Sequence, residues 1–337
     1  MKKKTICIAS IHGLDNKGGL ERVCQYLYEI LSKKYKVKVI RGTKKPFKHG
    51  NWLLQSLIIS LKLFFIPHKI VIGNSWHSFL YPCHLSIHHG TMYGNNLYIF
   101  NGANDLYRIR IAKMEQISGF TAKKVLPVGE NVKTQLLKFY HIPENKIFVL
   151  NNFVNDSLYI PKDIYYKNGK IKILFVGRLN IGKGLNELKL LSDYIEKTND
   201  YELHIACHND ANTDLFKMNK NTKIHVSVKP EEMPDFYNSG DVLYFPTHYE
   251  GFSMATLEAL SCGIPVAGTN WAIGKELQNY PFTKITDLNN MESLINDIRN
   301  LYEQYKDKRV EIHETISKAF GRKQYEEKLM NLISEFE

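Results

Sequence analysis

Short uninterrupted apolar runs alternate along this chain with longer stretches in which apolar residues recur every three or four positions. In the first half, residues 5–9, 37–40, 69–72, 85–88 and 124–128 read as strands. Between them, Leu20, Val23, Cys24, Leu27, Ile30 and Leu31 fall at helical spacing. Residues 52–66 form an apolar helix candidate stopped by Pro67, and 94–118 read as mostly helical. An irregular section from 151 to 170, with several asparagines and tyrosines, reads as a linker. The pattern restarts at 171–177, with strands at 202–206, 223–228, 242–245 and 264–267. Helices are expected near 184–197, 231–239, 252–262, 289–304 and 311–335. Strands alternating with helices in this way predict an α/β architecture with parallel sheets covered by helices.

Composition narrows the class. A chain of 337 residues has room for two domains of ordinary size. Its 44% hydrophobic and 23% charged residues are those of a globular protein. Cys7, Cys24, Cys83, Cys207 and Cys262 include no Cys-x-x-Cys pair, which argues against a zinc site or disulfide framework and fits a reducing cytoplasm. The apolar run after Met1-Lys2-Lys3-Lys4 is too short for a secretory leader, and no apolar stretch reaches the ~18 residues of a membrane span. The net charge of +11 fits nucleic acid, an anionic membrane surface or anionic substrates. With no helix-turn-helix, RNP or arginine-rich segment, nucleic acid is excluded as the expected partner. Lys44, Lys45 and Lys48 precede the apolar 52–66 segment. That arrangement suits either a helix packed on a sheet or peripheral contact with an anionic membrane.

The richest chemistry lies between Tyr249 and Val266. A strand end leads through Glu250 and Gly251 into a helix, and Gly263-Ile264-Pro265-Val266 opens the next strand. Gly251 allows close backbone approach to a ligand. The amides of Phe252, Ser253 and Met254 would be first-turn donors at the positive end of the helix dipole, a ready anion site. Glu258 sits among Leu257, Ala259 and Leu260, where a carboxylate needs hydrogen-bond partners such as ligand hydroxyls. One segment thus offers a phosphate cradle and two hydroxyl-binding carboxylates, a combination that suits a sugar nucleotide. Upstream, Gly177 to Gly184 follows a strand and carries Arg178 and Lys183, a natural pair for a diphosphate.

Glu250-Gly251-Phe252 followed by Glu258-Ala259 and Gly263-Ile264-Pro265-Val266 resembles the donor-site signature of retaining glycosyltransferases with two Rossmann-like domains, the GT-B fold of family 4 type. Gly177-Arg178 with Lys183-Gly184 matches that family's phosphate loop, and Gly18-Gly19-Leu20-Glu21-Arg22 its first glycine turn. The resemblance covers nearly the whole chain, strongly over 171–267 and loosely over 30–150. It implies an N-terminal acceptor-side domain (1–155), a C-terminal donor-binding domain (156–316) and a terminal helix (317–337) packing back on the first domain. Arg178, Lys183 and the amides of Phe252 to Met254 would then stabilise the departing diphosphate, Glu250 would bind sugar hydroxyls, and Glu258 would bind ribose. Gly18 and Gly19 would approach the donor, and the backbone at Val228 would meet the base. His89, followed by Gly90, matches the family's histidine, although a plain core histidine is the other reading for it and more so for His88. Cys207-His208 stands where many members have Gly-x-Gly, which leaves the nucleotide open.

No Asp-x-Asp occurs, so transfer without a metal or other cofactor is expected; His84, His88 and His89 are not read as a metal set. The resemblance implies a retaining transferase that moves a sugar from a nucleotide diphosphate, UDP ahead of GDP, to a glycan or glycolipid acceptor in bacterial surface-glycan assembly. The expected location is cytoplasmic or peripheral on the inner membrane face. Two other classes fit the same residues. One is transfer to a small soluble acceptor, as in a sugar-phosphate synthase or phosphorylase. The other is a non-catalytic binding module.

Overall fold

A computed structural model describes residues 3–11, 13–14, 19–42, 52–103, 105–162, 169–209 and 211–337, the side chains of residues 20 and 21 excepted. The chain divides into two compact units. One comprises Met1–Asn152 with Tyr325–Glu337, the other Phe153–Gln324.

The first unit runs β1 (Thr5–Ala9), α1 (Gly19–Ser32), β2 (Lys36–Ile40), α2 (Trp52–Phe65), β3 (Ile70–Asn74), β4 (Leu85–His88), α3 (Met92–Phe100), α4 (Leu106–Thr121), β5 (Lys124–Pro127) and α5 (Glu130–Tyr140). Its sheet has the order β2-β1-β3-β4-β5, every pair parallel. A parallel sheet is covered on both faces, so its central strands are apolar throughout rather than alternating. Ile6, Cys7, Ile8 and Ala9 of β1 and Ile70, Val71 and Ile72 of β3 are accordingly buried. Val23, Cys24, Leu27, Ile30 and Leu31 form the inward stripe of α1.

The second unit runs β6 (Ile171–Val176), α6 (Leu185–Ile195), β7 (Tyr201–Cys207), β8 (Thr222–Val226), α7 (Met233–Asn238), β9 (Val242–Phe245), α8 (Met254–Ser261), β10 (Val266–Gly268), β11 (Thr283–Ile285), α9 (Met291–Tyr305) and α10 (Arg309–Phe320). Next comes α11 (Arg322–Ser334), whose residues from Tyr325 onward belong to the first unit. Its sheet order is β11-β10-β9-β6-β7-β8, again all parallel. The chain winds outward from β6 through β7 to β8, returns to lay β9 against β6, and winds outward the other way. The carboxyl ends of β6 and β9 are therefore the topological switch point, where open α/β sheets bind ligands.

Several elements differ from the sequence expectation. The 94–118 helix is two helices, because Asn101 takes a left-handed φ of 49° that caps α3 and Asp105 accepts the amides of Tyr107 and Arg108 to start α4. The 311–335 helix also breaks. Gly321 lies where a Cβ would fall 2.4 Å from the Ser317 carbonyl, and Asp156 accepts the Arg322 amide at 3.2 Å. Helix α5 and strand β11 were not expected. Both units are α/β with parallel sheets, as the alternation predicts.

Candidate active site

The loops leaving β6 and β9 are tied to each other by backbone. The Gly182 carbonyl accepts from the His248 amide at 3.0 Å and from the Thr247 hydroxyl at 3.1 Å. Thr269, just past β10, donates its hydroxyl to the Thr247 carbonyl at 2.6 Å. Within the first loop, the Asn180 side chain accepts the Lys183 amide at 3.0 Å and closes a short 3-10 turn. Gly184 ends that turn at φ 84°, and a Cβ there would lie 2.5 Å from the Pro246 carbonyl oxygen. Three strand ends are thus locked into one rigid edge.

That edge brings together side chains far apart in sequence. Lys183 hydrogen-bonds and ion-pairs with Glu250, both side chains 20% exposed. Arg178 stands exposed on the same loop as Lys183. Gly251 and Phe252 are buried next to Glu250, with the Phe252 ring 5.6 Å from that of Phe320. Ser253 caps α8 by accepting the Thr256 amide at 3.1 Å, so the backbone of Phe252, Ser253 and Met254 lies at the positive end of that helix.

Glu258 is buried on α8 at 5% exposure, and its Oε2 accepts the Tyr237 hydroxyl at 3.0 Å. Burial, and then the Glu258 charge, raise the Tyr237 phenol well above its ordinary pKa, so it stays protonated and remains a donor. The sequence reading missed Tyr237, a buried protein group that solvates a carboxylate expected to need ligand hydroxyls. Its signal was its place on the helix after the strand end at Val228. Val228 itself lies past β8, two strands out from β6 and away from the Lys183–Glu250 pair. Beside it Ser227, at φ 56°, gives its amide to the Cys207 carbonyl and its hydroxyl to the His208 carbonyl, both at 2.8 Å.

In the first unit, Gly19 opens α1, while Gly18 and Lys44 to Lys48 lie outside the described residues. His89 follows β4, half-buried, with Nε2 at 2.8 Å from Asn74 Oδ1. Asn74 in turn donates to Cys24 Sγ at 3.2 Å. Burial pushes the His89 pKa down to about 4, so the ring is neutral at pH 7. Because Asn74 Oδ1 only accepts, the network assigns the hydrogen to Nε2 and leaves Nδ1 as the ring's acceptor. His88 is a core residue bonded to Ser86 at 3.1 Å, pushed down to about 3 by burial. His84 accepts the Val71 amide at 3.2 Å, so the three histidines are spent on different partners.

A second buried carboxyl, not singled out from sequence, lies on α4. Glu115 Oε2 accepts the Met92 amide at 2.7 Å and the Tyr140 hydroxyl at 2.5 Å, while Oε1 accepts the Ser75 hydroxyl at 3.2 Å. Burial raises its pKa to about 7 in spite of these donors.

Residues 160–319 match the family model of Glycosyl transferases group 1. The Staphylococcus aureus capsular polysaccharide biosynthesis glycosyltransferase CapM is 27% identical over 175 residues, 47% of this chain and 46% of that protein. The matched segment thus spans about half the length of this curated relative. The sucrose-phosphate synthase of Thermosynechococcus elongatus superposes with a TM-score of 0.80 at 13% identity, covering 99% of both chains. Anabaena HepE, solved in complex with UDP and glucose, gives 0.73 at 14% identity over 98% of this chain and 99% of that one. These two likenesses establish the fold. The chain has the GT-B fold.

Proposed function

We propose that the chain transfers a hexose-type sugar from a nucleotide diphosphate, UDP ahead of GDP, to an acceptor hydroxyl. In this reading the anomeric configuration is retained and no metal takes part. The observation that carries it is the Lys183–Glu250 pair at the β6/β9 switch point, beside the N-terminus of α8. As the bond from the anomeric carbon to the diphosphate breaks, its electron pair leaves with the nucleotide. Arg178, Lys183 and the amides of Phe252 to Met254 are prealigned for that charge. Glu250 binds sugar hydroxyls next to Lys183, and Glu258, held by Tyr237, binds ribose hydroxyls. The backbone at Val228 meets the base. Neutral His89 accepts a hydrogen bond from the reacting partners through Nδ1, and Gly18 and Gly19 let the first loop approach the donor.

The likeness to CapM, whose name places it in capsular polysaccharide biosynthesis, supports assembly of a bacterial surface glycan on a glycan or glycolipid acceptor. HepE, bound to UDP and glucose, supports the donor class. The reaction would then run at the cytoplasmic face of a membrane. The superposition with a sucrose-phosphate synthase favours a second reading, transfer to a small soluble sugar phosphate.

The test is a panel of nucleotide sugars, assayed in EDTA with lipid and soluble acceptors, for the native chain and Glu258→Gln. Release of one nucleotide from one donor, indifferent to EDTA and weakened in the variant, supports the reading. No turnover and no nucleotide binding by calorimetry would overturn it in favour of a non-catalytic role.

A further inference from the structure

Helix α2 is apolar on both its sides. Its buried side holds Ile59 and Leu63 with Gln55, Ser56 and Ser60, the Ser60 hydroxyl bonded back to the Ser56 carbonyl at 2.8 Å. Its outer side carries Leu53, Leu54, Leu61, Phe64 (60% exposed) and Phe65 (84% exposed). A surface helix ordinarily carries one apolar stripe, and phenyl rings left in water on its outer side depart from that pattern.

Helix α4 is likewise apolar on both sides. Its buried side holds Ile111, Ala112 and Met114 with Glu115, Ser118 and Gly119. Its outer stripe, at steps of one, three or four residues, is Leu106, Ile109, Arg110, Lys113, Ile117 and Phe120. That stripe is apolar and basic and holds no acid. Helix α3 adds exposed Tyr93, Leu97, Tyr98 and Phe100, with the Arg108 guanidinium 3.7 Å from the centre of the Phe100 ring. The inner faces of α2 and α4 share one cluster. Trp52 and Leu57 from the first, and Ile111 and Met114 from the second, pack with Trp76 and Phe79. The two helices are therefore neighbours.

We infer that the outer faces of α2, α3 and α4 form a single docking surface for the headgroup–acyl boundary of an anionic lipid bilayer. Charge selects this occupant. Between residues 52 and 121 the acids are Asp105, ion-paired to Arg108, and Glu115, which is buried. The cations are Lys62, Lys69, Arg108, Arg110 and Lys113. A second copy would bring the same cations face to face, whereas anionic headgroups complement them. The 14 residues of α2 span about 21 Å, short of the ~30 Å hydrocarbon layer, so the helix lies in the interface. Among the described residues no helix is long and apolar enough to cross a membrane.

This inference rests on the glycolipid-acceptor part of the proposed function and names the surface that would serve it. The experiment is flotation of the full chain with phosphatidylcholine vesicles and with vesicles that also contain phosphatidylglycerol. Three forms are compared: the native chain, a Phe64→Ser/Phe65→Ser/Phe120→Ser variant and an Arg110→Gln/Lys113→Gln variant. Donor hydrolysis and gel filtration are measured alongside. The native chain should float with anionic vesicles only, and less so as salt rises. The apolar variant should lose roughly tenfold or more in affinity at every salt concentration, and the charge variant should lose its salt dependence. Hydrolysis should be unchanged, since none of these residues is among those assigned to the donor. An active native chain that ignores anionic vesicles overturns the inference. So does equal binding by all three forms, or a native dimer that the apolar variant dissociates. A native chain that floats but hydrolyses no donor upholds the surface and counts against the transferase reading alone.

Discussion

Replacing Glu115 with Gln isolates the charge of a buried carboxyl from its hydrogen bonds. The amide oxygen can take the place of Oε2 and keep the Met92 amide and the Tyr140 hydroxyl. The amide NH2 takes the place of Oε1, and the Ser75 hydroxyl turns to accept from it. Only the ability to ionise is lost. In the native fold the carboxyl pKa rises from 4.5 to about 7, so between those values the folded chain holds a proton that the unfolded chain has released. Native stability from this group must therefore fall as pH rises through that window and level off above it. At 1.36 kcal/mol per pH unit the full loss is about 3 kcal/mol. The variant avoids it, so it should match the native chain near pH 4.5 and be more stable by about 3 kcal/mol at pH 8. Urea unfolding followed by tryptophan fluorescence can read this in a Trp271→Phe background. There the remaining reporters, Trp52 and Trp76, lie in the cluster that α4 contributes to. His88 and His89 also titrate in this unit, in the opposite direction, but they cancel in the difference between the two chains. Parallel pH profiles, or a variant destabilised equally at all pH values, would refute the reasoning.

Gly184→Ala forces a side chain into a left-handed backbone against Pro246 and should destabilise the second unit by roughly 1–3 kcal/mol while weakening nucleotide binding, as read by thermal shift and calorimetry. Tyr237→Phe leaves the Glu258 carboxylate with one donor fewer in a buried setting; a loss of about 1–3 kcal/mol in urea unfolding and weaker nucleotide binding are expected. In a double-mutant cycle on donor turnover, Lys183→Gln and Glu250→Gln should be non-additive by at least ~0.5 kcal/mol, since the two groups form one pair.

What was legible in the sequence follows the physics of each element. Strands β1, β3, β6 and β7 announce themselves because burial on both faces demands unbroken apolar runs. The loop at Gly177 to Gly184 and the turn at Glu250 to Ser253 stand out through their glycines and charges. Strand β11 has three residues, Thr283, Lys284 and Ile285, at a sheet edge, too few and too polar to show a period. In α5, Val132, Leu136 and Tyr140 make a stripe only one residue wide. The breaks at Asn101 and Gly321 depend on left-handed backbone in one case and on Asp156, far away in sequence, in the other. The pairings Lys183–Glu250 and Tyr237–Glu258 arise from the order of strands and helices, which local pattern does not encode.

The return of residues 325–337 to the first unit makes the second unit an insertion within the first. Glu326 pairs with Lys33, Glu335 with Lys124, and Glu337 accepts from Tyr35 at 2.8 Å, so this stretch clamps helix α1 and the ends of β2 and β5. A ribosome making this chain from its amino end therefore releases the complete second unit while the earlier-made unit still waits for its clamp. Until those residues emerge, the exposed apolar helices of the first unit belong to an unfinished fold. A nascent chain in that condition is a substrate for chaperones, and a frameshift late in the gene would damage the amino-terminal half of the protein.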